Sequence, residues 1–274
     1  MTLSLTLPKA WSAFSKNKRL LLFVVLLEFF LLFVLFKIYM QFFIPTQDVF
    51  TDISAMMQEK MSSLADEDLY KVEGLLFEDA DFMALYHRLI YLWLGMLVIM
   101  SAATVLFKAP LWHIAHKSIL KSIPLKSLGK TYFLMVFWWF VGASIIFAYA
   151  SVSSSFFEEP GFIIKALLTL TLLILCYFAD VSFSLVPARQ TFKKTFILGI
   201  KSAKAIVPAF LVNSVIAFNA LALPFIWATK VSQSMWGVAA LAALLAFITF
   251  PALAFTRVHM IISMSRTTSI KQVT

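Results

Sequence analysis

Two carboxylates stand where carboxylates are costly. Glu28 lies within the apolar run VVLLEFFLLFVLFK, and Asp180 within LLILCYFADVSFSL. A charge at the centre of a membrane span costs about 2.5–3.5 kcal/mol on insertion scales, and such residues face a bundle interior or a wet cavity. Their depths match. Glu28 lies nine residues after Arg19, Asp180 nine before Arg189, and Asn213 nine after Lys204. At helical rise each is about 13 Å from a basic edge. Ser101, Thr104 and Thr249 fall at similar or slightly shallower depth. If these faces converge, two carboxylates with amide and hydroxyl groups would hold a cation, or pass a proton as an aqueous path opens and closes. Pro208, Pro224 and Pro251 would free backbone carbonyls near such a layer. The plainer expectation for Asn213, Ser101, Thr104 and Thr249 is one hydrogen bond each to a neighbouring helix. Such bonds contribute about 0.6 kcal/mol on average.

Other constellations carry less chemistry. His113 and His116 share a helical face and His259 lies on the same side of the chain, a conceivable zinc set. Lys117 beside them opposes a cation, and interfacial packing is the stronger expectation. FEDADF, residues 77–82, clusters Glu78, Asp79 and Asp81 but lacks the spacing and glycine of an EF-hand loop. No nucleotide loop, nucleophile elbow or HExxH pattern occurs. The single cysteine, Cys176, excludes an internal disulfide framework. No cofactor is expected.

The elements that would position these residues are apolar helices. The chain is 61% hydrophobic and 14% charged, against about 25% charged in soluble domains. Six runs reach the roughly 20 apolar residues that a span requires. They are Leu20–Phe43, Met83–Phe107, Thr131–Val152, Ile163–Val186, Ala205–Trp227 and Met235–Phe255. None alternates with period two, so a β-barrel is not expected.

The net charge is +9, and most of the basic residues lie in segments 1–19, 108–130, 187–204 and the C-terminal tail with Arg257, none of which holds an acid. The outer loops hold every acid except Glu28 and Asp180. This partition predicts cytoplasmic termini and removes the need to invoke nucleic acid. The first run is too long for a signal h-region and reads as a retained anchor; no N-x-[ST] acceptor occurs, which favours a prokaryotic plasma membrane.

Two segments preceding spans resemble one another. KAWSAFSKNKRLLLF from Lys9 aligns with KTFILGIKSAKAIVP from Lys194, pairing Trp11 with Phe196, Lys16 with Lys201 and Arg19 with Lys204. KSLGK, 126–130, is a looser third copy. Parallel repeats are one way that transport folds are built, although any amphipathic interfacial helix produces the same pattern. Trp11, Lys16, Arg19, Trp112, Lys117, Lys121, Lys201 and Lys204 are expected at the membrane surface, with Ile114, Ile119, Leu120 and Ile123 sharing an apolar face. Anionic lipid would pair with the lysines.

Between Pro45 and Asp81, Phe50, Ile53, Met57, Met61 and Leu64 recur at helical spacing, and a second short helix is expected over 66–77. Together these predict an acidic outer cap. The Ala-rich stretch GVAALAALLAF in the last span suits close packing, with a partner or a second copy among the options.

The expectation is therefore an all-α, polytopic six-helix bundle with cytoplasmic termini and an outer acidic cap. Its function is read as transporter- or permease-like, moving a small solute, ion or lipid. The alternative is a non-catalytic accessory or scaffold subunit of a larger membrane complex; an interfacial enzyme ranks third.

Overall fold

The computed structural model describes residues 6–63, 78–120, 123–154, 161–230 and 235–267, and among them all regular structure is helical. In chain order these are α1 (Leu7–Lys16), α2 (Lys18–Ser63), α3 (Ala80–Lys117), α4 (Lys126–Ser154), α5 (Phe162–Ser184), α6 (Thr191–Lys201), α7 (Ala203–Lys230) and α8 (Met235–Leu244). A π-helical turn, Leu245–Thr249, leads from α8 into α9 (Phe250–Thr267).

Six segments are long and apolar enough to cross a membrane: Lys18–Ser62, Ala80–Lys117, Lys126–Tyr149, Phe162–Ser184, Ala203–Pro224 and Gly237–Ser265. Their surfaces explain the composition. Leu22, Phe23, Leu26, Phe140, Phe218 and Phe247 are all exposed, as side chains facing hydrocarbon must be.

Prolines interrupt these helices less than the sequence suggests. Pro45, Pro110, Pro208 and Pro224 all lie inside continuous helix. A proline deprives the carbonyl four residues earlier of its N–H partner. At Pro110 that carbonyl is Leu106, which accepts the Tyr132 hydroxyl at 3.1 Å. At Pro224 it is Ala220, which accepts Thr249 Oγ1 at 2.8 Å. Pro251 is handled differently. The π turn sits immediately before it, and the Phe250 N–H reaches back to Leu245 O, five residues away.

The chain divides into two compact units, Met1–Phe29 with Val105–Thr274, and Phe30–Thr104. The smaller unit comprises the later part of α2 and the earlier part of α3. Val49, Ile53 and Phe82 form its buried cluster, and Lys60 Nζ lies 2.8 Å from Asp79 Oδ2. Asp79 also starts α3, accepting the N–H groups of Asp81 and Phe82. Residues 50–63, expected to form a separate cap helix, are the unbroken continuation of α2. The second expected cap helix, 66–77, lies outside the described residues.

In the larger unit, α9 is the central element, packed chiefly on α7 and α1. Every residue from Arg257 to Met264 is buried. This corrects the expectation of a C-terminal tail beginning near Arg257: the helix continues to Thr267, and this stretch is packed against protein. One core joins Ala10, Trp112, Trp138, Phe183, Val258 and Ile261; a second joins Tyr177, Val181, Leu185, Ile206, Phe210 and Met260. Both gather at the basic ends of the spans.

The similar segments take similar shapes. α1 ends at Lys16 and α2 starts at Lys18, with Asn17 between them; α6 ends at Lys201 and α7 starts at Ala203, with Ser202 between them. Each is a short amphipathic helix, a one-residue break and then a span. KSLGK differs, forming the first turn of α4 itself.

Candidate functional site

Glu28 is 3% exposed and is held by two cations from two other helices. Lys108 Nζ donates to its Oε2 at 2.7 Å, and Arg257 Nη2 donates to its Oε1 at 2.6 Å. Each position follows from its helix. Glu28 sits one turn beyond buried Val24 on α2, Lys108 next to buried Ala109 on α3, and Arg257 opens the buried stretch of α9. Two charge-assisted bonds on one carboxylate repay part of its desolvation, which is what a buried ion requires. Lys108 keeps 29% of its side chain exposed, whereas Arg257 keeps only 10%. The second terminal nitrogen of Arg257, Nη1, is buried and has no hydrogen-bond partner among the described residues.

Asp180 on α5 is half-buried, and Arg257 is the charged neighbour that it shares with Glu28. Among the described residues no hydrogen bond or ion pair joins the Asp180 carboxylate to Arg257, so the structure does not bring it into the Glu28 cluster. These four residues are two acids and two bases set among apolar helices.

Asn213 belongs to a separate polar chain. Its Nδ2 donates to Thr256 O at 3.1 Å, so its Oδ1 accepts from His259 Nδ1 at 2.7 Å. A neutral His259 therefore carries its proton on Nδ1, and its Nε2 accepts the Thr6 hydroxyl at 3.0 Å. This chain ties α7 and α9 to the residue preceding α1. Phe255 stacks on the His259 ring and also meets Trp11 and Phe14.

Thr249 is engaged with Ala220 O, as described above. Ser101 and Thr104 belong to the smaller unit, where their hydroxyls bond the carbonyls of Leu97 and Met100 on their own helix.

The histidines do not converge. His116 donates from Nε2 to Phe183 O at 2.8 Å, His113 Nδ1 meets Ser127 Oγ at 3.2 Å, and His259 is in the chain with Asn213. Among the described residues no three His, Cys, Asp or Glu are placed to hold a metal.

Of the expected surface residues, Trp11, Lys16, Arg19, Lys117, Lys201 and Lys204 are exposed. Trp112 is not: it is 7% exposed and packs on Phe183, with ring centroids 5.3 Å apart. The reason is that α3 continues to Lys117 through the place where a loop was expected. Lys121 lies outside the described residues.

Beside Arg257 is a narrow cleft of about 30 Å³, walled by Leu20, Val24, Leu111, Ile114 and Ala254, with Asn17 and Ser118 among its lining. Asn17 Nδ2 donates to Ser118 O at 3.3 Å, joining the α1–α2 break to the end of α3. Apart from Arg257, Asn17 and Ser118, the lining is apolar.

Sequence reasoning missed Lys108 and Arg257 because both fell just outside windows of high hydropathy. The available signal was the charge tally: an acid deep in a span calls for a base at similar depth, and these were the nearest bases bordering apolar runs.

Comparison with protein-family models, with curated proteins and with solved structures returns no match. The reading of function therefore rests on this geometry.

Proposed function

We propose that this is a carrier-like membrane protein whose working site is the ion cluster of Glu28, Lys108 and Arg257. The observation that carries the reading is the pair of ionic hydrogen bonds from Glu28 to cations on α3 and α9. Such a cluster supports a switching role as well as a static one. A charged solute that competes for one partner, or a proton that neutralises Glu28, weakens a tie between helices. The equilibrium then moves only by the difference in its affinity for the two arrangements. Asp180 offers Arg257 a second carboxylate. Intramembrane charges paired in this way recur along ion and substrate paths.

In this reading both termini face the cytoplasm of a prokaryotic cell, the acidic connections face outward, and the exposed lysines of α1 and α6 meet anionic headgroups. Reporter fusions at each terminus test the orientation: a cytoplasm-dependent fluorophore lights at both and a periplasm-dependent phosphatase at neither.

The flux test uses purified protein in liposomes loaded with a pH-sensitive dye. Gradients of small organic anions and cations are imposed in turn. Wild type is expected to move charge or protons above protein-free liposomes, and Glu28→Asp, which keeps the charge but shortens its reach, to lose most of that flux. Flux equal to that of empty liposomes for every solute class would overturn the carrier reading.

A second reading is favoured by a different observation. Asn213, His259, Thr6 and Thr249 are bonded to one another or to helix carbonyls, as expected of a scaffold subunit. Cross-linking in native membranes discriminates: a scaffold gives one recurrent partner, lost on changing the exposed faces while Glu28→Asp leaves it intact.

A further inference from the structure

We infer that the exposed face of α7 around Asn219 docks a second copy of this chain. The two α7 helices run parallel, with Asn219 paired to its counterpart across a two-fold axis normal to the membrane. The inference goes beyond the carrier reading and stands with or without it.

Lipid accounts for an exposed apolar side chain, so the exposed leucines and phenylalanines of the spans point to no partner. A carboxamide is different. Asn219 lies fifteen residues after Lys204 in the span Ala203–Pro224. At helical rise that is about 22 Å from the basic edge of a hydrocarbon core about 30 Å thick. Asn219 is exposed, turned away from the buried face that carries Ile206, Phe210, Asn213 and Ala220. Its Nδ2 donates to Val215 O at 2.8 Å on its own helix. A carbonyl only accepts, which fixes the orientation of the amide. One N–H of Nδ2 is left over, and Oδ1 has no partner among the described residues. The backbone N–H groups beside it are spent within continuous helix. Exposed hydroxyls on α5 escape the problem: Thr169 and Thr171 place their single protons on the carbonyls of Lys165 and Leu167.

These leftovers select the partner. Lipid tails offer neither donor nor acceptor at that depth. Copies inserted in one orientation bring residue 219 to the same depth in each. A primary amide is its own complement, so the spare N–H of one meets the Oδ1 of the other, twice over. A different protein would have to carry a matching donor and acceptor at that level. The neighbouring residues support a parallel helix pair. Val212, Val215, Asn219, Ala222 and Ile226 follow at intervals of three, four, three and four. That is the rhythm of left-handed helix pairing, in membranes as in water. Val215 and Ile226 are exposed, while Val212 and Ala222 are half-buried. Ala222 is small enough to let two backbones approach. One Asn in such a seam fixes register and copy number.

The test uses the full-length protein in phosphatidylcholine liposomes, with donor and acceptor fluorophores fused to the N-termini of separate copies. Energy transfer is followed as lipid is added. Wild type should show transfer that falls on dilution along a dimer isotherm. Asn219→Leu removes a polar group from a lipid-facing position and leaves the core untouched, so folding is not at risk. It should raise the dissociation constant by about tenfold. A second measurement uses the Cys176→Ser background, since the native thiol is exposed. There, mild oxidation should link Val215→Cys into dimers much faster than Leu221→Cys, which is exposed on the other flank of α7.

Transfer no greater than random proximity at every dilution overturns the inference. So does a dissociation constant unchanged in Asn219→Leu, or linking through Leu221→Cys at least as fast as through Val215→Cys. If oxidation in native membranes joins Val215→Cys to a different polypeptide instead of a second copy, the face belongs to that partner and the inference fails.

Discussion

Arg257 Nη2 lies 2.6 Å from Glu28 Oε1, a contact that joins the last helix of the larger unit to its first long one. Removing one member of a buried pair leaves the other charge uncompensated. Glu28→Gln should therefore destabilise the protein by about 3–5 kcal/mol, and the double variant Glu28→Gln with Arg257→Met by much less, because Lys108 can reach water. Thermal melts in detergent decide the matter. A double variant no more stable than the single would show that the pair is not the cause.

Thr249 Oγ1 satisfies the Ala220 carbonyl that Pro224 leaves without a helical partner. Thr249→Val should cost about 0.6–1.7 kcal/mol in the native background. With Pro224→Ala already present, the same change should cost almost nothing, since residue 224 then supplies the missing N–H. Additive losses in a double-mutant cycle would refute this coupling.

Gly199 is a position of close approach. A Cβ there would lie 2.8 Å from the Phe178 ring, and the Gly199 carbonyl accepts the Tyr177 hydroxyl at 2.8 Å. Gly199→Ala should destabilise by about 1–3 kcal/mol through overpacking. Pairing it with Phe178→Leu, which removes the ring, should recover part of the loss in the same melting assay.

In the smaller unit, the hydrogen bond from Lys60, aided by the Phe82 and Asp81 N–H groups, holds the Asp79 carboxyl below its ordinary range. Its stabilising contribution is therefore present above the unfolded carboxyl pKa and fades as pH falls through the lower folded value. Carbon-detected NMR titration of Asp79 should show a midpoint below 3.8 in wild type that rises in Lys60→Ala. Equal midpoints in the two proteins would sink the assignment of Lys60 as the main cause.

Much of the architecture was legible for local reasons. The length of an apolar run is set by the bilayer, so the six spans follow from counting. The amphipathic segments before α2 and α7 show their period within a single turn or two, and their breaks fall beside Lys18 and Ala203. The inward face of Glu28 follows from its insertion cost. The partners of Glu28 were not legible, because pairing residue 28 with residue 257 depends on packing between distant helices. The fate of Ser101 was equally hidden: a hydroxyl bonded to its own helix and one reaching across a bundle have the same sequence. Arg257 to Met264 misled for a related reason. Hydropathy measures suitability for lipid, and this stretch is buried in protein.

The burial of that late stretch also orders events on the ribosome. Glu28 must enter the membrane while neither of its cationic partners has been translated. Lys108 reaches it first, with α3, and Arg257 arrives only after every other described span has been made. Until then Glu28 has at most one of the two cationic partners that the folded protein gives it.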